Sequence, residues 1–253
     1  MRSPFRPAIP PDPAILNGHR RLLRRLERRG VLSLGALSLL TGCDVASAPS
    51  VESALRLVSD FNDRVQQALF DPNRLARTYP RSAVLNPPKF NAYYDVAEVR
   101  PVDPATWSLE VTGLVAERRR WSVAELAALP RTEMVIRHVC VEGWDYIGEW
   151  SGPTLRTLLE RSGADLRARY VNFFTADDYP SSIDMATALH PQTLLADSYA
   201  GAPLADPFGF PLRLRMATKL GYKNPKWITA LEVTDTYMPG YWEKQGFNWF
   251  AGL

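Results

Sequence analysis

Hydrophobic and polar positions alternate in several short stretches of this chain, and the alternation predicts β-strands. Residues 107–111 and 211–216 alternate in this way, as a strand does when one of its faces is buried. Residues 133–139, 170–175 and 227–233 are predicted as three further strands, and the first of these leads directly to a cysteine.

Helical spacing of apolar residues predicts a long helix over residues 51–70, ended by Asp-Pro-Asn at 71–73. Its apolar stripe consists of Leu55, Val58, Phe61, Val65 and Leu69. Such a helix either packs on the domain or forms a stalk, and the pattern leaves both open. Shorter helices are predicted at 122–130, 154–162 and 183–189.

The order of these elements favours the α+β class, because strands and short helices follow one another without a regular strand–helix repeat. The chain has 21 prolines, which is too many for a helical bundle and typical of a loop-rich fold that contains β-structure. Ser122 and Glu125 form a capping box at the start of one short helix.

The N-terminal segment has the pattern of an export signal. Residues 1–42 contain eight arginines and two acidic residues, and the last arginine is followed closely by an apolar run of about ten residues at 31–40. A membrane-spanning helix needs about twenty such residues, so the run is typical of a signal peptide. Residues 28–32, Arg-Arg-Gly-Val-Leu, resemble the twin-arginine pattern. This pattern implies export of a folded protein, which often carries a cofactor.

Cys43 follows the apolar run in Leu-Thr-Gly-Cys, residues 40–43, which resembles a bacterial lipobox. Lipid on Cys43 would hold the protein at the membrane surface; the alternative is an ordinary signal that ends near a cysteine. We therefore expect a signal peptide at 1–42, a helical stalk or N-terminal segment at 43–80 and one domain at 81–253. The expected location is the periplasm or the outer face of the cytoplasmic membrane.

The charge balance argues against a nucleic-acid partner. The whole chain has 30 basic and 27 acidic residues, but 22 and 25 of these remain when residues 1–42 are left out. The exported part is therefore mildly acidic, whereas nucleic-acid-binding domains are usually basic.

Cys140 is the second of two cysteines. If Cys43 carries lipid, Cys140 has no partner for a disulfide in its own chain. A single thiol at the end of a strand serves as a nucleophile, as a metal ligand or as a small buried hydrophobic group, and the residues alone leave these three open.

Five segments in order resemble the molybdopterin domain of the sulfite oxidase superfamily, and most of all its bacterial periplasmic branch that includes the methionine-sulfoxide reductase catalytic subunit. The match spans roughly residues 85–236. The segments are Cys-Val-Glu-Gly-Trp at 140–144 with Trp-Ser-Gly-Pro-Thr-Leu at 150–155, Asn-Ala-Tyr-Tyr-Asp at 91–95, Leu-His-Pro-Gln-Thr-Leu at 189–194, Gly-Phe-Pro-Leu-Arg-Leu at 209–214 and Gly-Tyr-Lys-Asn-Pro-Lys-Trp-Ile at 221–228.

This resemblance implies a mononuclear molybdenum bound by a molybdopterin cofactor, with Cys140 as the thiolate ligand of the metal. A soft cysteinate suits a metal that is also held by the sulfur atoms of the pterin. The residues implied to line the cofactor are Asn91, Tyr94, Asp95, Thr175, Arg213, Asn224, Pro225 and Lys226. Among these, Arg213 and Lys226 are suited to a phosphate group. Phe208 departs from the family pattern, which often has a polar residue there.

His138 precedes Cys140 by two residues, and residues two apart on a strand face the same side. We therefore expect His138 to point toward the metal as a second catalytic residue, donating a proton or binding an oxyanion. The alternative is a histidine that is hydrogen-bonded in the wall of the pocket.

The resemblance implies an oxidoreductase that transfers an oxygen atom and two electrons. The expected substrates are S-oxides of small molecules or of oxidised residues, and sulfite-type oxidation is the alternative. The expected electron partner is a b-type haem membrane subunit or a soluble cytochrome, and the protein is expected to be a monomer. From a different class, a non-catalytic lipoprotein that uses this fold to bind a ligand stays open.

Overall fold

The computed structural model describes residues 49–253 of the chain. The predicted twin-arginine motif, the apolar run and Cys43 lie outside the described residues. By its contacts, the chain divides at Val58, and the larger unit is Val58–Leu253. The segment 58–80 thus groups with the larger unit, while the predicted division at residue 81 stays a prediction about domain organisation.

The larger unit is built on a five-stranded mixed sheet with the strand order β2-β1-β11-β5-β6. Its strands are β1 (Ser108–Gly113), β2 (Arg119–Ser122), β5 (Tyr170–Thr175), β6 (Ser181–Asp184) and β11 (Ile228–Thr234). β1 and β11 pair in parallel, and the other neighbours pair antiparallel. The parallel pair joins two segments that are far apart in sequence.

A four-stranded antiparallel sheet and a two-stranded one complete the β-structure, in the orders β3-β4-β8-β9 and β10-β7. Their strands are β3 (Arg131–Val139), β4 (Asp145–Pro153), β7 (Thr193–Ala196), β8 (Ser198–Tyr199), β9 (Ala202–Pro203) and β10 (Arg213–Met216). β3 and β4 form a hairpin, and Cys140 is the first residue after β3.

The helices are α1 (Pro49–Leu69), α2 (Val123–Ala127), α3 (Leu155–Arg161) and α4 (Met185–Ala188). The predicted capping box is confirmed, since the Ser122 hydroxyl accepts from the Glu125 N–H and the Glu125 carboxylate accepts from the Ser122 N–H. α3 buries Leu155, Leu158 and Leu159. These short helices and mixed sheets confirm the predicted α+β class.

The five predicted strands lie close to β1, β3, β5, β10 and β11, whereas the other six strands of the described residues were not predicted. The helix predicted at 183–189 differs most from the structure. Ile183 belongs to β6, and only Met185–Ala188 is helical, capped by Asp184. Ile183 is pulled into the sheet because it pairs with Val171, so tertiary pairing overrides the local helical pattern.

Helix α1 confirms the helix predicted at 51–70, but its apolar stripe faces the solvent. Val58, Phe61, Val65 and Leu69 are 57%, 64%, 38% and 78% exposed. Within the described residues, no helix is both long and apolar enough to cross a membrane.

Two hydrophobic clusters form the interior of the larger unit. The larger cluster lies between the five-stranded sheet and the short helices and contains Leu109, Leu155, Phe173 and Leu231. The smaller cluster contains Ile136 of β3 and Trp150 of β4, with Tyr146 and Leu194. The second cluster is important for function because it supports the end of β3, where Cys140 lies.

We predict that Leu109→Ala lowers the free energy of unfolding by about 2–5 kcal/mol, because the substitution leaves a cavity around a side chain with 0% exposure. Leu114→Ala is the matched control, since Leu114 follows the same strand but is 44% exposed. Urea unfolding of both variants measures the difference, and equal losses would contradict the assignment of Leu109 to the core.

Candidate active site

Cys140 lies at the bottom of a cavity, at the point where β3 ends in a tight turn. Its N–H donates to the carbonyl oxygen of Trp144 at 2.9 Å, and the Gly143 N–H donates to the carbonyl oxygen of Cys140 at 3.2 Å. Gly143 has a φ of 89°, a conformation that glycine adopts without strain. Burial raises the pKa of the Cys140 thiol, so the free thiol is protonated and a bound cation is needed to hold it as thiolate.

The cavity brings together residues from five separate parts of the chain. Its lining residues are Asn91, Ala92, Tyr93, Cys140, Val141, Glu142, Asp177, Tyr179, Gly221, Tyr222, Asn224, Pro225, Lys226 and Trp242. Five of the predicted site residues are therefore found together, namely Cys140, Asn91, Asn224, Pro225 and Lys226. Four aromatic side chains, those of Tyr93, Tyr179, Tyr222 and Trp242, also line the cavity.

Three buried cations lie beside or beneath this cavity. Arg213 and Arg215 of β10 are both buried, and both guanidinium groups lie over the ring of Trp150, at 4.7 and 5.5 Å from its centroid. Lys226 is also buried, and its ammonium group donates to the carbonyl oxygen of Asn91 at 2.8 Å. Within residues 49–253, no carboxylate forms an ion pair with any of the three.

Desolvation lowers the pKa of all three cations. Burial lowers the pKa of Lys226 to about 7, with a further contribution from Arg213. It also lowers the pKa of Arg213 and of Arg215 to about 10. Unpaired buried charges are costly. An anion bound near these three cations would therefore be stabilised by all of them.

Asn224 links Arg215 of β10 to the loop that carries Lys226. Its side-chain oxygen accepts from the Met216 N–H at 2.6 Å and from the Arg215 guanidinium at 3.1 Å, and its amide donates to the carbonyl oxygen of Leu220 at 2.9 Å. Arg215 also donates to the carbonyl oxygen of Arg137 in β3 at 2.9 Å. These bonds tie β10 both to the loop at 221–226 and to the strand that carries Cys140.

Arg215 was absent from the sequence prediction, although the sequence contained a signal for it. It follows Arg213 by two residues on a strand, so both side chains share one face of β10. Phe208 stands where the family often has a polar residue. Its side chain offers no hydrogen bond, but its carbonyl oxygen accepts from the Arg213 guanidinium at 3.0 Å.

His138 is buried on the same side of β3 as Cys140, as the spacing predicted, but it does not line the cavity. Its ring clusters with those of Tyr146 and Trp144, with centroids 4.9 and 5.7 Å away, and these two rings are 6.2 Å from each other. Neither ring nitrogen has a hydrogen-bond partner among the described residues. Burial, with Arg215 next in size, lowers the pKa of His138 to about 2, so the ring is neutral at physiological pH.

Gly221 separates His138 from the cavity. A Cβ atom at Gly221 would lie 2.6 Å from Nε2 of His138, so the backbone of this loop covers the ring closely. His138 therefore reaches the cavity only through this layer, and its role as a catalytic residue stays a prediction.

Three other predicted residues lie away from the cavity, at the neighbouring loops. Asp95 is exposed, and its side chain accepts from the Ala97 N–H as the cap of a short 3₁₀ helix. The Tyr94 hydroxyl donates to the Asp177 carboxylate at 3.0 Å. The Thr175 hydroxyl accepts from the Tyr179 N–H at 2.8 Å. Tyr94 and Thr175 thus position Asp177 and Tyr179, which do line the cavity.

The residues present fit the cofactor that the resemblance implies. A buried thiol supplies one soft ligand, and three buried cations without carboxylate partners suit a phosphate. Within the described residues, no group of three or more His, Cys, Asp or Glu side chains could hold a metal ion.

Comparison with known proteins identifies the family to which the chain belongs. The family model described as oxidoreductase molybdopterin binding domain matches residues 96–242. A protein of Azospira oryzae named YedZ1, which is provisionally assigned as a protein-methionine-sulfoxide reductase subunit, is 57% identical over 229 residues, or 90% of this chain and 87% of the relative. The protein-methionine-sulfoxide reductase catalytic subunit MsrP of Campylobacter jejuni is 28% identical over 86% of this chain and 76% of its own length.

The fold also resembles a solved structure, that of the sulfane dehydrogenase SoxCD from Paracoccus pantotrophus. The TM-score is 0.52 and the sequence identity is 20%, over 55% of this chain. The matched region spans 40% of the SoxCD chain. At this identity the likeness concerns the fold.

We predict that the cofactor-free protein becomes more stable between about pH 7 and pH 10. In this window the unfolded Lys226 is protonated and the folded one is not, so the unfolded state binds more protons and stability rises with pH. Lys219, whose pKa burial also lowers to about 7, acts in the same direction. Each lysine contributes a slope of up to about 1.4 kcal/mol per pH unit.

Urea unfolding of the cofactor-free protein at several pH values measures this slope. Lys226→Met should reduce the slope, and Lys244→Met, which removes a lysine from outside the cavity, should leave it unchanged. An equal slope in wild type and Lys226→Met would contradict the assignment.

Proposed function

Because the chain belongs to the oxidoreductase molybdopterin binding domain family, it is a molybdopterin-dependent oxidoreductase, and we propose that it reduces S-oxides in the cell envelope. The observation that carries the proposal is the buried thiol of Cys140 in a cavity flanked by three cations without carboxylate partners. The names of the two relatives, which refer to protein-methionine-sulfoxide reductase, support the substrate class.

In this proposal Cys140 binds the molybdenum, and the cations hold the phosphate of the pterin. When bound, the cofactor supplies a metal that exchanges an oxygen atom and two electrons with the substrate. Lys226 offers a point charge at the cavity, and Arg213 offers a planar donor behind it. Asn91, Asn224 and Pro225 form the adjoining wall. Tyr94, Asp95 and Thr175 support the loops around that wall.

The charges that remain at the cavity favour a neutral substrate. Once a phosphate has neutralised the cations, the charged lining groups left are the carboxylates of Glu142 and Asp177. These repel an anion such as sulfite, whereas the sulfoxide group of a small molecule or of an oxidised methionine is uncharged. This difference supports reduction of S-oxides over sulfite-type oxidation.

Aromatic side chains support the same substrate class. Tyr93 and Tyr241 stack with centroids 4.6 Å apart, and Trp242 beside them lines the cavity. Sulfur next to a methyl group makes favourable contacts with aromatic rings. The ring of Trp242 and its neighbours also exclude water, which strengthens the electrostatic interactions inside the cavity.

The location and the electron partner belong to the same proposal. The twin-arginine pattern and Cys43 support export and lipid attachment to the outer face of the cytoplasmic membrane. A b-type haem membrane subunit or a soluble cytochrome would then supply the electrons.

The activity is tested with purified holoenzyme, a reduced dye as electron donor and methionine sulfoxide as substrate. We expect turnover with the sulfoxide and none with sulfite and an oxidised dye. Cys140→Ser should lower turnover at least about 100-fold with the fold unchanged, because it removes a metal ligand. Cys43→Ser is the matched control, since it removes the other thiol, and it should keep full turnover.

Three results would contradict the proposal: absence of molybdenum from the purified protein, faster turnover of sulfite than of the sulfoxide, or an unchanged rate in Cys140→Ser. Circular dichroism of each variant checks that a lost rate does not come from unfolding. The last result would favour the alternative that the fold binds a ligand without catalysis.

We further predict that Cys43→Ser moves part of the protein from the membrane fraction to the soluble periplasmic fraction, because acyl chains anchor a protein more strongly than surface contacts do. Fractionation and immunoblotting measure the shift. Equal distributions of wild type and variant would contradict lipid attachment.

A further inference from the structure

Helix α1 attaches to the larger unit by its polar edge rather than by its apolar stripe. The carboxylate of Asp63 accepts from the N–H groups of Trp249 and Phe250 at 2.8 and 3.0 Å, and the Gln66 side chain accepts from the Gly252 N–H at 3.0 Å. The Asn248 side chain donates to the carbonyl oxygen of Ser59 at 3.1 Å. The helix residues Ser59, Asp63 and Gln66 recur at spacings of four and three, so they lie on one side of the helix.

The apolar stripe lies on a different side and has no cover among the described residues of the larger unit. Here the stripe means Val58, Phe61, Val65 and Leu69, which also recur at spacings of three and four and are at least 38% exposed. Soluble domains rarely expose such a run, and where they do it marks an interaction surface. An amphipathic helix normally buries this side.

Two arginines lie near one end of the stripe, together with Asp71. Leu69, its last member, also lines a surface groove with the exposed side chains of Leu75 and Leu253 and with Arg74 and Arg77. Exposed apolar residues flanked by arginines match the boundary between acyl chains and anionic headgroups.

The sequence before the helix indicates which surface this is. Cys43, the expected acylation site, precedes Val58 by fifteen residues, a length that spans at most about 50 Å. Lipid on Cys43 would therefore keep the stripe within reach of the bilayer at all times. Because α1 is amphipathic and not apolar enough to cross a membrane, it is suited to lie in the plane of the interface.

We propose that the stripe of α1 docks on the anionic lipid surface of the membrane, as a second attachment beside the lipid on Cys43. The apolar side chains enter the headgroup region, and Arg74 and Arg77 contact the lipid phosphates. A single acyl chain gives weak, reversible binding, and a second contact makes the attachment stable. The inference rests on the proposed membrane location and not on the proposed reaction.

The test uses exported Cys43→Ser holoenzyme, which has no acylation site, after mass spectrometry has verified that residues 1–42 are removed. Its binding to vesicles of phosphatidylethanolamine and phosphatidylglycerol is measured by flotation. We expect the protein to bind, and we expect Phe61→Gln to weaken the binding at least about ten-fold, because the variant loses an aromatic side chain that would be buried in the lipid. Vesicles of phosphatidylcholine alone should bind less protein because they lack anionic headgroups.

The matched control is the double variant Phe61→Gln with Gln67→Phe, which keeps the composition and the charge but moves the aromatic ring off the stripe. It should bind as weakly as Phe61→Gln. Absence of binding by the parent protein, or restored binding in the double variant, would overturn the proposal.

Two further readouts separate the remaining explanations. If Phe61→Gln binds vesicles as well as its parent but accepts electrons poorly from membranes that contain the haem partner, the stripe contacts a protein and the lipid proposal is wrong. Sulfoxide reduction with a reduced dye is measured on the same samples. A loss of this activity in the parent would count against the proposed reaction and would leave the vesicle result intact.

Discussion

The active site depends on cations that are buried without a carboxylate. Arg213, Arg215 and Lys226 are held by backbone carbonyl oxygens and by the faces of aromatic rings. Such partners orient a cation but leave its charge uncompensated, and a buried charge of this kind is costly in a folded protein. A bound anion would offset this cost, as we propose for the phosphate of the cofactor.

The hydrogen bonds of Arg215 also help to position Cys140, because one of them is made to β3. Arg215 donates to the backbone of β3 and shares Asn224 with the loop at 221–226, so the cations, the loop and the strand that ends at Cys140 form one connected unit. Gly221 belongs to this unit and covers His138 closely. His138 is neutral and packs against the rings of Trp144 and Tyr146, so the positive charge in this region comes from the arginines and Lys226.

Local patterns predicted a large part of this molecule. Residues 170–175 form the predicted strand, and Ser122 and Glu125 form the predicted capping box, because both depend on neighbours in sequence. Tyr93 and Tyr179 were not predicted at the cavity, since the fold brings them together from distant parts of the chain. Asp95 matched a family motif, yet a motif gives the order of residues and not the direction of a side chain. Similarly, the stripe of α1 was visible in the sequence, but amphipathicity does not say what covers an apolar side.

The segment at 242–252 makes two sets of contacts at once. Trp242 forms part of the cavity wall, while the backbone of Trp249, Phe250 and Gly252 holds the polar edge of α1. About ten residues of chain therefore connect the cavity wall to Asp63 and Gln66. A displacement of these two residues would strain the segment that carries Trp242, so the packing of this part of α1 and the shape of the cavity are coupled.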